Sequence, residues 1–121
     1  MIIRPEQMEV FELRAKKEFE SVALEHLRTE LEEITSSLTD EELLARIRDC
    51  GSRAESYGLQ DRDEVLSFID SSYLVDDPNF DINPAFRWAQ RILTNKYITS
   101  QQKAEELLDR AFEENQRTGD E

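Results

Sequence analysis

The sequence predicts an all-α protein, a compact bundle of about five helices led by a long N-terminal one. Three observations carry that prediction. Apolar residues recur at three- and four-residue steps through most of the chain. Thr39-Asp40-Glu41-Glu42 and Thr99-Ser100-Gln101-Gln102 have the form of capping boxes, in which a Thr hydroxyl and a Glu or Gln side chain satisfy each other's helix-start amides. No run alternates apolar and polar residues with β-branched enrichment, as a half-buried strand would.

The first helix opens at Pro5, a residue suited to a first helical position. Met8, Phe11, Ala15, Phe19, Val22, Ala23, Leu27, Leu31 and Ile34 then form one stripe. The other faces carry Glu9, Lys16, Lys17, Glu20, Glu25, Arg28 and Glu32, a mixed-sign solvated surface. The stripe serves internal packing or a homodimer equally well, and the pattern leaves both open. A second helix begins at the Thr39 box, and Leu43, Leu44, Ile47, Cys50, Ala54 and Tyr57 give it an apolar stripe. Gly58 supplies the left-handed residue that closes it.

Asp61 is placed to cap a third helix bearing Val65, Phe68, Ile69, Ser72 and Tyr73. The loop from Asp76 to Asp81 follows. Asn83-Pro84 reads as cap and first position of a fourth helix with Phe86, Trp88, Ala89, Ile92 and Leu93. The Thr99 box opens a fifth, with Ala104, Leu107, Leu108, Ala111 and Phe112 on its inner side, which frays beyond about Asn115. Trp88, Phe68, Phe19, Phe11 and Phe112 are the expected large core members.

With 121 residues the chain fits one domain, residues 1–115, followed by a flexible acidic tail at 116–121. Lys and Arg total 15 against 28 Asp and Glu, a net charge of -13 that repels nucleic-acid phosphates and anionic lipid headgroups and favours basic partners. No nucleic acid and no membrane is therefore expected among its ligands. A single cysteine makes no internal disulfide, Met1-Ile2-Ile3-Arg4-Pro5 is too short for the apolar core of a secretory signal, and no window approaches the ~20 apolar residues of a membrane span. These features place the chain in the cytoplasm.

The catalytic vocabulary is sparse. His26 lies near the stripe of the first helix with no nucleophile elbow or cysteine-protease segment to serve, and reads as a boundary residue. Cys50 sits on the stripe of the second helix and reads as a small buried hydrophobe. One Cys and one His do not make a zinc site. Asp77, Asn79, Asp81 and Asn83 alternate like the opening of an EF-hand loop, but Ile82 stands where the turn glycine belongs and Trp88 where the bidentate Glu belongs. Their expected role is to cap helices and satisfy backbone amides. Gly51, Gly58 and Gly119 are isolated, so no phosphate-cradling loop exists. The expectation is a protein with no catalytic residues, no cofactor and no metal, and not an enzyme.

Tyr57-Gly58-Leu59, Asp61, Asp63 and Phe68, then Asp77-Pro78-Asn79-Phe80-Asp81, Pro84, Trp88 and Ile92-Leu93, form a pattern that covers the middle third of the chain. It resembles that of small helical accessory proteins encoded among bacterial type VI secretion spike and effector genes. The resemblance implies a non-catalytic role: binding an effector or its loading adaptor as a chaperone-like partner, or neutralising a cognate toxin as a cytoplasmic immunity protein. A third reading, independent of the resemblance, is an acidic DNA mimic that blocks a nucleic-acid-binding protein, although the basic residues of the first two helices interrupt a phosphate-like array. The candidate partner-binding residues are Asp76, Asp77, Asn79, Phe80 and Asp81. Phe80 either folds onto the core or acts as an anchor with the aspartates as its rim.

Overall fold

Six α-helices and one 3-10 turn make up the computed structural model, which describes the backbone of residues 5–119 and the side chains of residues 15–117. In chain order they are α1 (Pro5–Glu30), α2 (Glu32–Thr35), α3 (Asp40–Ser56), α4 (Arg62–Leu74), the 3-10 turn (Pro84–Phe86), α5 (Arg87–Leu93) and α6 (Ser100–Gly119). No strand occurs among the described residues, so the all-α class holds, with six helices rather than five. The contacts group the chain into two compact units, Met1–Leu44 and Ala45–Glu121, with the division inside α3.

In the first unit, the single long helix expected from the apolar stripe is broken at Leu31, whose backbone (φ -120, ψ 43) leaves the helical region. Side chains on either side of the break account for it. The Thr35 hydroxyl donates to the carbonyls of Leu31 (2.9 Å) and Leu27 (3.1 Å). Arg28 Nη1 donates to the Thr35 carbonyl, while Nη2 donates to the Leu38 carbonyl (2.8 Å) and to Asp40 Oδ1 (2.7 Å). A cation in the last turn of α1 also opposes the negative end of the helix dipole. Ala23, Leu27, Thr35 and Leu43 are buried, Phe19 is half-buried, and Val22 lies at the exposed edge of the stripe. Met8 and Phe11 lie outside the described side chains. The Thr39 hydroxyl accepts from the Glu42 amide (3.1 Å), as the capping pattern requires.

In the second unit α4 packs along α6, and α5 packs against the same helix. Ile47, Cys50, Ala54, Phe68, Ile69, Ala89, Leu93, Leu107 and Ala111 are fully buried between these elements and the end of α3. Gly58 adopts φ 87. The Leu59 amide then reaches back to the Ala54 carbonyl (3.1 Å), and Leu59 is itself buried, so the stop works through a left-handed glycine and an apolar clasp. Asp61 stands at the start of α4 without a side-chain cap bond. Glu64 takes that role from inside the helix: one oxygen accepts from the Gln60 amide (3.2 Å), and the other from the Ser100 hydroxyl (3.1 Å). This buried carboxylate thus ties the start of α4 to the start of α6. The Thr99 box closes in both directions, with Gln102 N to Thr99 Oγ1 at 3.1 Å and Thr99 N to Gln102 Oε1 at 2.9 Å. Helix α6 continues past Asn115 to Gly119. Asn115 Nδ2 donates to the Leu74 carbonyl (3.2 Å), which fastens that part of α6 to the end of α4.

Besides the half-buried Phe19, two expected core aromatics depart from the pattern. Phe112 is 47% exposed, because Ala111, one residue earlier, occupies the inward position of that turn. Trp88 is half-buried.

Candidate functional site

The loop between α4 and the 3-10 turn begins with a left-handed residue that is not glycine. Asp76 has φ 55, and the next amide, Asp77 N, reaches back to the Ser72 carbonyl (3.0 Å). This is the helix stop that Gly58 makes after α3, built here on a residue whose short polar side chain tolerates that region. The loop is then closed at its neck. Asp77 Oδ1 accepts from the Asn79 amide (2.8 Å) and Oδ2 from Asn83 Nδ2 (2.6 Å), while Asn83 Oδ1 caps the 3-10 turn by accepting from the Ala85 amide (2.9 Å). The Asn83 side-chain bond, followed by the Asn79 amide, holds the Asp77 carboxyl below the usual carboxylate range.

Arg53, reaching from α3, fastens the loop from below. Its Nη1 donates to the Pro78 carbonyl (2.6 Å) and Asn79 Oδ1 (2.8 Å), and its Nη2 pairs with Asp81 Oδ1. Tyr57 donates its hydroxyl to Asp81 Oδ2 (2.8 Å). Asp81 is 2% exposed, so a carboxylate is buried here with both oxygens answered, one by a guanidinium and one by a phenol. Burial of an ion is tolerated on those terms and no others. Asp49, one helical turn before Arg53, adds a second acidic neighbour at 3.6 Å.

Under this polar layer runs an aromatic row. Ring centroids are separated by 6.2 Å for Tyr57 and Phe68, 5.0 Å for Phe68 and Phe80, 6.5 Å for Phe80 and Trp88, and 6.1 Å for Trp88 and Phe86, all tilted or edge-on. Phe80 is fully buried at its centre. The anchor role considered for it is therefore not the one the fold gives it: its ring is a core member, and Asp81 is an internal ion rather than part of a solvated rim. Of the five residues singled out, Asp76 and Asn79 face solvent, Asp77 is half-buried, and Phe80 and Asp81 are inside. Asp77, Asn79, Asp81 and Asn83, which alternate like metal ligands, are instead bonded to Arg53, Tyr57, each other and the local backbone. No group of acidic, His and Cys side chains that could hold a metal ion occurs among the described residues.

A second polar contact joins α3 to α4. Arg46 lies over the Tyr73 ring (4.3 Å to the centroid) and donates to Ser72 Oγ (3.2 Å), which also receives the Cys50 thiol at 3.7 Å. Burial pushes the Cys50 thiol up, away from the thiolate that nucleophilic chemistry requires. His26 is half-buried in the first unit.

Chain-wide charge counting overlooks how the charges are distributed. Residues 82–104 contain no Asp or Glu, yet hold Arg87, Arg91, Lys96 and Lys103. Arg87, Arg91 and Lys96 are exposed, while Lys103 is half-buried and donates to the Tyr57 carbonyl (3.4 Å). Within the same interval Tyr97 is 98% exposed and Ile82 63% exposed, the most open large apolar side chains among the described residues. No family model, curated protein or solved structure matches the chain. No described helix is long and apolar enough to cross a membrane.

Proposed function

We propose that the chain acts by protein contact, as a non-catalytic accessory factor of bacterial type VI secretion that holds an effector or its loading adaptor in a chaperone-like complex. The observation that carries the contact reading is the use made of the polar side chains. Arg53, Tyr57, Asp77, Asp81 and Asn83 are bonded to one another or to backbone and hold a loop in place, while the surface carries the charge that brings the net value to -13. A surface of that kind governs partner choice and encounter rate. The secretion context rests on the resemblance of the Tyr57–Leu93 pattern alone. A cytoplasmic immunity protein that occludes a cognate toxin uses the same contact chemistry and is the second reading. The DNA-mimic reading is the least supported, because the acid-free interval from 82 to 104 interrupts a phosphate-like array.

A tagged pull-down from the native bacterium, with mass spectrometry and reconstitution of the strongest specific partner, tests this reading. Recovery of an effector or adaptor without inhibition of a toxin supports the chaperone-like role. Loss of toxin activity in the reconstituted complex identifies the immunity role. Recovery of DNA-binding proteins, displaced by DNA and by salt, replaces both with mimicry.

A further inference from the structure

We infer that the outer face of α5 and the turn after it form a docking surface for a short acidic segment of a partner protein. The inference rests on the contact reading above and names one surface and the chemistry it fits.

In a chain with 28 acidic residues among 121, a stretch as long as 82–104 would carry about five, and it carries none. Ala89 and Leu93 turn inward, which leaves Arg87 and Arg91, one helical turn apart, on the outer side of α5. Lys96 is exposed in the following turn, where Asn95 Oδ1 accepts the Tyr97 amide (2.9 Å) and holds the Tyr97 backbone in place. The side chains of Arg87, Arg91 and Lys96 have no hydrogen bond or ion pair among the described residues. By contrast, Arg28, Arg46, Arg53, Arg110 and Arg117 each hold one. On a protein this acidic, cations that meet no internal carboxylate remain available to an external one. Tyr97, next to Lys96 in the chain and 98% exposed, supplies the kind of rigid amphipathic ring that anchors interfaces.

The occupant follows from scale. Guanidinium groups one turn apart match carboxylates on a short segment, each in bidentate geometry. A short peptide segment needs to cover only these few cations, and at physiological ionic strength the Debye length of about 8 Å limits what it feels from more distant carboxylates. Extended polyanions do not have that advantage. A membrane or a duplex would meet the surrounding acidic surface as well, against only three unpaired cations.

The test is a titration of the isotope-labelled full chain with a short synthetic peptide of glutamate and leucine, read by amide chemical shifts. Shifts confined to about residues 86–99 are expected. They should weaken about tenfold in an Arg87→Gln/Arg91→Gln variant, whose helical content should be unchanged because both side chains are exposed. Shifts absent at millimolar peptide, or spread over other faces, overturn the proposal. So do equal shifts at the same amides from phosphatidylserine vesicles or an oligonucleotide, which would give the island to lipid or nucleic acid. Retention of the native partner by the double Gln variant would move the docking surface elsewhere and leave the contact reading intact.

Discussion

Two arginines perform the same act in the two units, and the difference in their surroundings sets what each is worth. Arg28 gathers the carbonyls of Thr35 and Leu38 and the carboxylate of Asp40, folding the chain past the end of α1. Arg53 gathers the Pro78 carbonyl, the Asn79 amide oxygen and the carboxylate of Asp81. Side-chain exposure is 33% and 66% for Arg28 and Asp40, but 20% and 2% for Arg53 and Asp81. Water therefore competes at the first corner and is largely excluded at the second. An exposed pair is worth little because either ion rehydrates when the other is lost, whereas a buried ion left alone has nowhere to go.

The largest effect should come from Asp81→Ala, which strands the Arg53 guanidinium and the Tyr57 hydroxyl. A loss of about 3–5 kcal/mol in urea unfolding is expected. Replacing both ions, Arg53→Met with Asp81→Leu, should recover much of that loss, because it removes the desolvated charges together. If the single and double variants are equally unstable, the corner is held by shape rather than by charge. At the other corner, Arg28→Met should cost about 1–2 kcal/mol through its carbonyl bonds, and Asp40→Ala less than about 1 kcal/mol. Equal costs at Asp40 and Asp81 would erase the distinction.

A smaller effect separates the two helix stops. Asp76→Gly should raise the stability of the second unit by about 0.5–1 kcal/mol in the same assay, since glycine accepts φ 55 without the steric penalty. Gly58→Ala should act in the opposite direction by a similar amount.

The smallest is a pH dependence confined to the loop neck. Asp77 has a folded-state pKa below its ordinary 3.8, so its contribution is fully present above that value and is lost as pH falls through the depressed one. Asp77→Asn should flatten the acid limb of a thermal stability profile below about pH 4 and leave the neutral region nearly unchanged.

What could be read from the sequence was local chemistry. The two Thr boxes, the Gly58 stop and the Asn83-Pro84 cap each need only residues within a few positions of one another, and each appears, although the Thr39 box forms only its hydroxyl half. The departures all depend on distant partners or on rotation about a helix. Leu31 fits a continuous apolar stripe, and the break there needs Arg28 to reach as far as Asp40. Asp76 carries no glycine signal. Phe80 and Asp81 look like an exposed motif until Arg53 and Tyr57, more than twenty residues earlier, close over them. Phe112 follows the apolar spacing but yields the inward position to Ala111. The island around Arg87 and Arg91 was legible in the acid-free interval, yet its lack of internal partners needs coordinates.

Phe80 and Asp81 are clamped into the core, and the contact surface proposed above lies elsewhere. Phe80→Ala, followed by thermal unfolding and by binding to the recovered partner, tests this division most directly. A large loss of stability, about 3–5 kcal/mol, is expected, with partner affinity preserved at temperatures where the variant remains folded. Unchanged stability with lost binding would contradict this division and make Phe80 a contact residue.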